Sequence, residues 1–476
     1  LILGAFILPF VRGPLRSLVS VLLPAATLMA IWTAIPDGHL VTMPFLDGLQ
    51  LTPLTWNPLG TEVIGPDGFL PPSATRVFAT IFALMATVGA LFSLRQEDPA
   101  ELPGAFVYAG SAICVTFAGD ILSLFVFWEL MALGSTVVAW SGKFKNTYNA
   151  GMRYVAVHLV GGVILMAGIL AHAMPLIHDP TVLDPLALHH YAMGPLGFDG
   201  TILTAGAADV SGIGTWLILI GILINAGAPP FGAWLPDAYP EASHTGTVFL
   251  SAFTTKVAVY ALARSYAGED ILVYIGISMA CFPIFYAVIE NDLRRVLAYS
   301  LNNQLGFMVV GVGLGTELAL NGTAAHAFAH ILYKALLFMS VGAVLFRTGT
   351  AKGSELGGLY KTMPLTMIFC VIGAASISAF PLFSGFISKS LILSAAAHDH
   401  YYVIWAILLF ASAGVFHHSG IKIPYFAFFA HDSGLRPKEA PWNMLLAMGI
   451  TAFLCIFIGV FPDMLYSLLP YEVSYK

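Results

Sequence analysis

Long apolar runs separated by short polar turns repeat along the whole chain. A membrane helix needs about 20 apolar residues to cross the hydrocarbon core, and glycine and proline mark several of the boundaries between runs. The pattern predicts an all-α integral membrane protein with about fourteen transmembrane helices in a single transmembrane domain, residues 1–476. The predicted spans are 1–10, 17–35, 71–94, 103–119, 121–141, 151–174, 212–228 with a short continuation to 236, 243–267, 271–289, 295–314, 319–346, 363–396, 400–430 and 441–469.

Composition agrees with this pattern. Hydrophobic residues make up 58% of the chain and charged residues 10%, whereas soluble domains carry about 25% charged residues. Nothing in the chain resembles a nucleotide loop, a haem motif or an iron–sulfur spacing. We therefore expect a lipid bilayer around the chain, no cofactor and no nucleic acid, with energy from an ion gradient or a partner.

Basic residues are distributed unequally between alternate loops, which predicts the topology. Loops on one side hold fourteen of them, namely Arg12, Arg16, Arg95, Lys143, Lys145, Arg153, Arg294, Arg295, Arg347, Lys352, Lys361, Lys422, Arg436 and Lys438. The other side holds Arg76, Arg264 and Lys476. The bias places both termini on the outer side of a cell inner (plasma) membrane. The outer loop 36–70 is expected to hold a short hairpin from VTMPFL and LQLTPLTW.

Two spans carry helix-breaking prolines. Pro229 and Pro230 interrupt the seventh span and Pro381 interrupts the twelfth, because proline lacks the backbone N–H that a helix needs. Five spans separate the two breaks, and an odd offset inverts the topology. The chain is therefore expected to contain two inverted five-helix repeats, about 103–267 and 271–430, with matching broken helices of the kind that mark transport sites.

Two ionisable residues lie deep in different spans. Glu129 is the only carboxylate inside the fifth span, and Lys256 lies near the middle of the eighth. Charged side chains at such depth are expensive and mark ion pathways. Glu129 can act as a proton-binding group or as a fixed counter-ion, and its alternative role is a hydrogen bond to a helix end. Mid-helix depth argues against snorkelling of Lys256 to an interface.

Histidines and lysines form a stripe in the eleventh span. His326, His330 and Lys334 recur at every fourth residue, which places them on one helical face. Such a stripe suits a proton relay, since histidine titrates near neutral pH. A polar core is the alternative; a metal site lacks a third ligand of suitable spacing. Lys389 follows the break at Pro381 and is a candidate for the last group before one membrane face.

Other polar residues are weaker candidates. His158 lies in an apolar span and is expected to take a packing or interfacial role, and His418 matches Lys256 only loosely under the proposed repeat. Glu129, Lys256, Lys334 and Lys389 lie in four helices, and charges close together in a low dielectric titrate as a coupled set. The sequence therefore predicts a half-buried lateral proton wire.

Six motifs resemble the antiporter-like subunit family shared by Mrp-type cation/proton antiporters, respiratory complex I and membrane-bound hydrogenases. They are FVFWELM, WLPDAYPEAS, TKVAVYALAR, RRVLAYSLNNQLGFM, HAFAHILYKALLF and FSGFISKSLIL. The resemblance covers essentially all fourteen segments and is closest to the D subunit of Mrp-type multisubunit Na⁺/H⁺ antiporters. It implies that Glu129 is the essential glutamate of the fifth segment, Lys256 and Lys334 relay lysines, and Lys389 the terminal lysine.

One position departs from the family pattern. The family usually has a lysine nine residues before the tryptophan of the WLP motif, paired with the glutamate, and this chain has Asn225 there. An asparagine carries no proton and gives Glu129 no counter-charge. Either another group replaces that lysine, with Lys256 the nearest candidate, or this chain conducts or supports rather than pumps.

Four functions follow from these features. The first is a proton-translocating subunit of a multisubunit monovalent cation/proton antiporter, with other membrane subunits as partners and protons, and Na⁺ as a further candidate, as transported ions. The second is a proton-pumping subunit of a complex I-like or hydrogenase redox complex. The third is an energy-coupling subunit for inorganic-carbon uptake, and the fourth a structural spacer. The first and last are transport or structural roles without enzymatic activity.

Overall fold

The computed structural model describes residues 1–33, 41–42, 50–51, 74–96, 98–118, 121–177 and 211–473. Its helices are α1 (Ile2–Ile7), α2 (Gly13–Thr33), α3 (Ala74–Phe92), α4 (Glu101–Thr116), α5 (Ile121–Ala139), α6 (Thr147–Ile177), α7 (Ser211–Ala226), α8 (Trp234–Ala238), α9 (Gly246–Ala252), α10 (Thr254–Ser265), α11 (Asp270–Ile289), α12 (Leu293–Leu314), α13 (Glu317–Thr348), α14 (Pro364–Ile377), α15 (Ser384–His398), α16 (Tyr402–Val415), α17 (Lys422–Pro424), α18 (Trp442–Val460) and α19 (Asp463–Tyr466). Strands β1 (Val41–Thr42) and β2 (Gln50–Leu51) pair antiparallel.

The all-α membrane architecture is confirmed. Among the described residues, ten helical stretches are long and apolar enough to cross a membrane. Each of the fourteen predicted spans contains a helix, while the count of fourteen crossings stays a prediction. The two breaks are also confirmed, between α7 and α8 and between α14 and α15. The expected hairpin is present as the β1–β2 pair, with Val41 opposite Leu51.

Helix α13 forms the centre of the fold. It packs against α3, α9, α10, α12, α14, α15 and α18, and its side chains from Ala319 to Leu345 are buried. A helix that is apolar all round is stable only when it is enclosed by others. Helices α9 and α10 are enclosed in the same way, whereas much of α2, α6 and α16 faces outward. The polar residues of α13 between Ala319 and Leu345 are therefore removed from lipid and solvent.

Contacts between helix ends and loops that are distant in the chain bring basic residues together at one face. Arg153 pairs with Asp237 at 2.6 Å and Lys361 with Asp432 at 2.7 Å. Arg347 donates to the Glu439 carbonyl at 2.6 Å. We call this surface the basic face. Of the three basic residues predicted for the opposite side, Lys476 lies outside the described residues.

A buried guanidinium holds the corner of the WLPDAYPEAS motif at this face. The two terminal nitrogens of Arg294, at the start of α12, donate to four backbone carbonyls, those of Tyr239, Pro240, Ala242 and Ser243, at 2.7 to 3.3 Å. The carbonyls of Tyr239 and Ser243 also accept from Thr247, whereas those of Pro240 and Ala242 have Arg294 as their donor. The corner therefore joins the α7–α8 break to α12.

Candidate proton-relay site

The stripe of α13 lies where the sequence predicts it. His326, His330 and Lys334 are all fully buried, and the imidazole centroids of the two histidines are 6.1 Å apart. Neither ring nitrogen of His330 has a hydrogen-bond partner among the described residues. The stripe therefore includes one imidazole with both its donor and its acceptor capacity unused.

Lys334 is held by neutral oxygen atoms. Its Nζ donates to the hydroxyl of Ser300 at 2.9 Å and to the Leu297 carbonyl at 3.3 Å, both on α12. No carboxylate of the described residues lies in an ion pair with this ammonium. A permanently charged lysine in a buried site normally requires an acid beside it. These contacts therefore fit a group that gains and loses its proton.

His326 connects α13 to α15 and to a polar cluster on α12. Its Nδ1 lies 2.8 Å from the Ser388 hydroxyl, and its Nε2 lies 3.5 Å from the Tyr333 hydroxyl. Tyr333 in turn donates to Gln304 at 3.1 Å. Both ring nitrogens of His326 thus have hydroxyl groups beside them, as a proton-transferring imidazole requires.

The break at Pro381 supplies the site of Lys389. In a regular helix the Ile377 carbonyl would accept a hydrogen bond from residue 381, but proline has no N–H. The Lys389 Nζ occupies this acceptor at 2.8 Å, and it lies 3.4 Å from the Ser412 hydroxyl and 5.4 Å from the centre of the Phe307 ring. Lys389 is buried. The broken helix thus provides a neutral polar site for a second lysine.

A further break, which the sequence analysis missed, creates the site of Lys256. Helix α9 ends and α10 begins at Phe253, and the Phe253 carbonyl accepts from the amides of residues 256 and 257. The interruption leaves the Ser251 carbonyl to the side chain of Lys256, whose Nζ donates to it at 2.6 Å and to the Thr255 hydroxyl at 3.2 Å. No glycine or proline marks this break.

The buried bases influence one another. His330 lies within electrostatic range of Lys256, Lys334, Lys389 and His326, and Lys334 within range of the other two lysines. A proton bound at one of these groups repels a proton at the next, so their protonation is coupled. The structure therefore brings Lys256 of α10, the α13 stripe and Lys389 of α15 into one cluster, which we call the base cluster.

Glu129 is separate from the base cluster in its contacts. It lies on α5, and its Oε1 is buried without a hydrogen-bond partner among the described residues. A side chain added at Gly162 of α6 would collide with this carboxylate. The structure does not pair Glu129 with Lys256, whose ammonium is bound elsewhere. The substitution of Asn225 for a lysine is therefore not compensated by an ion pair with Lys256.

Asn225 lies near the end of α7, just before the break. It is buried, and its Oδ1 has no partner within the described part of the chain. Pro229 and Pro230 follow and line a cavity of about 700 Å³, together with residues of α11 and α12 that include Asn302. The first break thus opens to this cavity at the basic face, which is large enough for several water molecules.

His158 has the contacts of a packing residue on one side and an unused nitrogen on the other. Its Nδ1 bonds the Tyr154 carbonyl at 2.8 Å, and its ring packs against Tyr154 and Trp234. The Nε2 is buried without a partner in the described residues. One helical turn separates His158 from Gly162, which contacts Glu129.

His418 lies in a π-helical turn, Phe416–Ile421, which the sequence analysis did not predict. Its Nδ1 is 2.9 Å from the Ser419 hydroxyl, and Ser419 donates to Ser300 at 2.8 Å. Ser300 is the hydroxyl partner of Lys334. His418, the weakest of the predicted relay candidates, therefore has a continuous hydrogen-bonded connection to the base cluster.

The sequence analysis missed the hydroxyl and amide partners of these bases. Ser300 and Gln304 belong to a polar run inside an apolar helix, SLNNQ, which was a usable signal. Ser388 and Ser419 each lie beside a candidate base in sequence. Their roles depend on which helices pack together, and a single sequence does not specify that.

Apolar helices long enough to cross a membrane, with basic side chains enclosed among them, define a multi-pass membrane protein. Residues 118–415 match the family described as NADH:quinone oxidoreductase/Mrp antiporter, transmembrane. Because the match covers more than half of the chain, this protein belongs to that family.

Individual comparisons agree with this assignment. The chain is 28% identical over 355 residues to the D subunit of the Na⁺/H⁺ antiporter of Alkalihalophilus pseudofirmus, covering 70% of this chain and 68% of that protein. A chain of the Mrp complex from Dietzia has the same fold, with a TM-score of 0.82, 21% identity and coverage of 98% and 94%. A chain of the archaeal membrane-bound sulfane sulfur reductase gives a TM-score of 0.79 at 23% identity, with the same coverage.

Proposed function

We propose that this chain is the proton-translocating subunit of a multisubunit monovalent cation/proton antiporter. The observation that carries the proposal is the base cluster: three buried lysines that donate to neutral oxygens and two buried histidines on the helix between them. Purely structural lysines at these depths would be expected to pair with acids. Neutral partners suit bases that exchange protons.

The proposed relay runs laterally through the bundle. In the first repeat, Glu129 either binds a proton or acts as a fixed counter-ion. Lys256 exchanges protons beside the Phe253 break. His330 and Lys334 transfer the charge along α13, and Lys389 delivers it beside the Pro381 break. Broken helices at corresponding places in 103–267 and 271–430 support the assignment of two inverted repeats, because such breaks provide polar backbone within a membrane.

Partners and location follow from the relatives. Proteins that match this chain are named as subunits of antiporters, and a solved relative lies in a multisubunit complex. We therefore assign this chain other membrane subunits as partners, a gradient of a monovalent cation such as Na⁺ as its energy source, and a cell inner membrane as its location. The basic face is assigned to the cytoplasm, with both termini on the outer side.

A redox-driven pump is the second candidate function. The fold matches a subunit of an archaeal respiratory membrane complex nearly as well as a subunit of an Mrp complex. In that arrangement the same base cluster would be driven by conformational or electrostatic signals from a redox subunit. The relay residues would keep their roles, and only the energy source would differ.

The partner set separates these two functions. The intact complex is purified in mild detergent from native membranes, and its subunits are identified by mass spectrometry. The antiporter function predicts small hydrophobic partners without flavin or iron–sulfur subunits. Redox subunits in the same particle would contradict it and support the pump.

A further inference from the structure

We infer that the π-helical turn after α16 is a proton inlet, which passes protons from the basic face through His418, Ser419 and Ser300 to Lys334. The inference rests on the proposed function of Lys334 and adds an entry route to it. None of these three residues belongs to the α13 stripe or to the proline breaks. The route has two parts, a hydrogen-bonded chain and a cavity.

The hydrogen-bonded chain from His418 to Lys334 consists of short, continuous contacts. The His418 Nδ1 is 2.9 Å from the Ser419 Oγ, the Ser419 Oγ is 2.8 Å from the Ser300 Oγ, and the Ser300 Oγ is 2.9 Å from the Lys334 Nζ. All four side chains are fully buried. Proton transfer between heavy atoms at such distances requires no intervening water.

The direction of the hydrogen bonds fixes the histidine tautomer. Ser419 donates its hydroxyl proton to Ser300, so it accepts from the Nδ1–H of His418. The Nε2 of His418 then carries a lone pair, and this atom is buried without a partner among the described residues. It is the open acceptor at the end of the hydrogen-bonded chain that lies opposite Lys334.

The π-helical turn explains how two adjacent histidines reach different surroundings. The amide of Lys422 donates to the carbonyl of His417, five residues earlier, and π turns of this kind occur frequently at functional sites. His418 points into the bundle, whereas His417 is exposed. The turn thus presents one imidazole to each side of the same short segment.

A cavity of about 520 Å³ lies beside this turn on the side of His417, and His418 is the next residue behind that lining. His417, Lys422, Tyr425, Glu290, Asn291 and Gly353 are among its lining residues. Glu290 and Gly353 belong to loops of the basic face. The Lys422 ammonium is fixed at the end of α11 by the carbonyls of residues 287, 288 and 290, at 2.5 to 3.0 Å. It therefore lies at the edge of the cavity and does not block the π-helical turn.

Proton transfer along this route balances at each atom. A hydronium ion from the cavity gives its proton to Nε2 of His418 and leaves as water, and the resulting imidazolium releases the Nδ1 proton to Ser419. Ser419 passes its hydroxyl proton to Ser300. When Lys334 is neutral, the Ser300 hydroxyl turns toward the lone pair of Nζ and passes its own proton to it, so that Lys334 becomes an ammonium. Rotation of the two hydroxyls then restores the chain. Lys334, His417, Lys389 and Lys422 are the charged or titratable groups that act on His418.

The test measures cation-gradient-driven proton flux by the assembled complex in liposomes, with a pH dye. Ser419→Ala and Ser300→Ala each remove one hydroxyl of the chain, and we expect each to lower the initial rate at least about tenfold. Ser340→Ala is the matched control, since Ser340 is a buried serine of α13 that donates to the Leu336 carbonyl. It should change the rate less than about twofold. Only preparations with the full set of subunits are compared.

A second measurement separates an inlet from a packing role. His418→Gln should abolish the dependence of rate on pH at the basic face and preserve the dependence at the opposite face. Unchanged rates and pH profiles in Ser419→Ala and His418→Gln, together with loss of flux in Lys334→Ala, would overturn the inlet and leave the proposed function intact. Unchanged flux in Lys334→Ala would overturn both.

Discussion

Three lysines of this protein are buried without an acidic partner among the described residues. Lys256, Lys334 and Lys389 each donate to a backbone carbonyl and a hydroxyl. A carbonyl stabilises an ammonium less than a carboxylate does, and it leaves the nitrogen free to lose its proton. The choice of neutral partners is thus the residue-level basis of the relay.

Gly162 tests the importance of the position of Glu129. Its missing side chain leaves space for the carboxylate, so Gly162→Ala should displace Glu129 and lower proton flux about tenfold or more, in line with the loss of a positioned proton-transfer group. The measurement is flux by the assembled complex in liposomes.

The neighbouring glycine provides the control. An added methyl group at Gly161 would meet Cγ2 of Ile224 at 3.1 Å rather than a carboxylate, a contact that a shift of a few tenths of an ångström relieves. Gly161→Ala should therefore retain most of the flux. Equal losses in the two variants would show that crowding of α6, and not the position of Glu129, is responsible.

The sequence predicts the bases of the site better than it predicts their partners. Glu129, Lys256, Lys334 and Lys389 are conspicuous because a charge in an apolar span is expensive. Ser300, Ser388 and Ser419 are ordinary serines by the same criterion, since a hydroxyl can bond its own helix. Their roles come from the packing of α12, α13, α15 and the π-helical turn, which local patterns do not determine.

At the scale of elements, each lysine site depends on an interrupted helix or on a neighbouring one. Pro381 removes one N–H and thereby leaves the Ile377 carbonyl to Lys389. The interruption at Phe253 has the same effect for Lys256, without any proline. The first kind of break can be predicted from sequence because its cause is covalent. The second cannot, because tertiary packing imposes it.

The corner bound by Arg294 is expected to be essential for folding. Arg294→Gln would leave the carbonyls of Pro240 and Ala242 without the donor that Arg294 supplies, and breaking a buried polar network of this kind costs about 3–5 kcal/mol. The expected result is a large drop in the thermal unfolding midpoint of the purified complex.

Arg295 is the matched control for that variant. It is adjacent in sequence, partly exposed, and its nearest carboxylate oxygens lie 3.8 and 3.9 Å away. Arg295→Gln should change stability by less than about 1 kcal/mol. A similar loss in both variants would contradict the role assigned to the buried guanidinium.

Asp432 joins two loops of the basic face. Hydrogen bonds from Arg436 and from Lys361 hold the pKa of the Asp432 carboxyl well below its usual range. The pKa of Asp432 is lower in the folded state than in the unfolded state, where it is about 3.9. The contact therefore stabilises the folded state fully at pH values above that unfolded pKa, and this stabilisation is lost only as the pH falls through the folded pKa. Between pH 8 and 5 the contact should not change.

Limited trypsin cleavage of the connection 430–441 measures that contact. Asp432→Asn should accelerate cleavage at Lys438, while wild-type cleavage, corrected for the activity of trypsin, stays constant across this pH range. Glu355→Gln is the control, since Glu355 pairs within its own loop with Lys352. Cleavage of wild type that rises steeply between pH 6 and 5 would contradict the assignment.

At the scale of the whole molecule, the basic face defines the orientation. The structure groups the basic loops together, and the positive-inside rule assigns that face to the cytoplasm. An impermeant maleimide added to intact cells should label His398→Cys, an exposed position of the opposite face, and should not label Lys352→Cys. The parent chain, whose four cysteines are buried or partly buried, gives the background. The reverse labelling pattern would invert the proposed topology.

Proton movement through the base cluster is the central claim, and flux in Lys334→Ala tests it most directly. The assembled complex is reconstituted in liposomes, a Na⁺ gradient is imposed, and the initial rate of proton movement is followed with a pH dye. The control variant Ser340→Ala is measured in parallel. Loss of flux to the level of empty liposomes, with all subunits retained and the control active, is the predicted result. Flux equal to that of the wild type would contradict the relay and leave this chain a structural spacer.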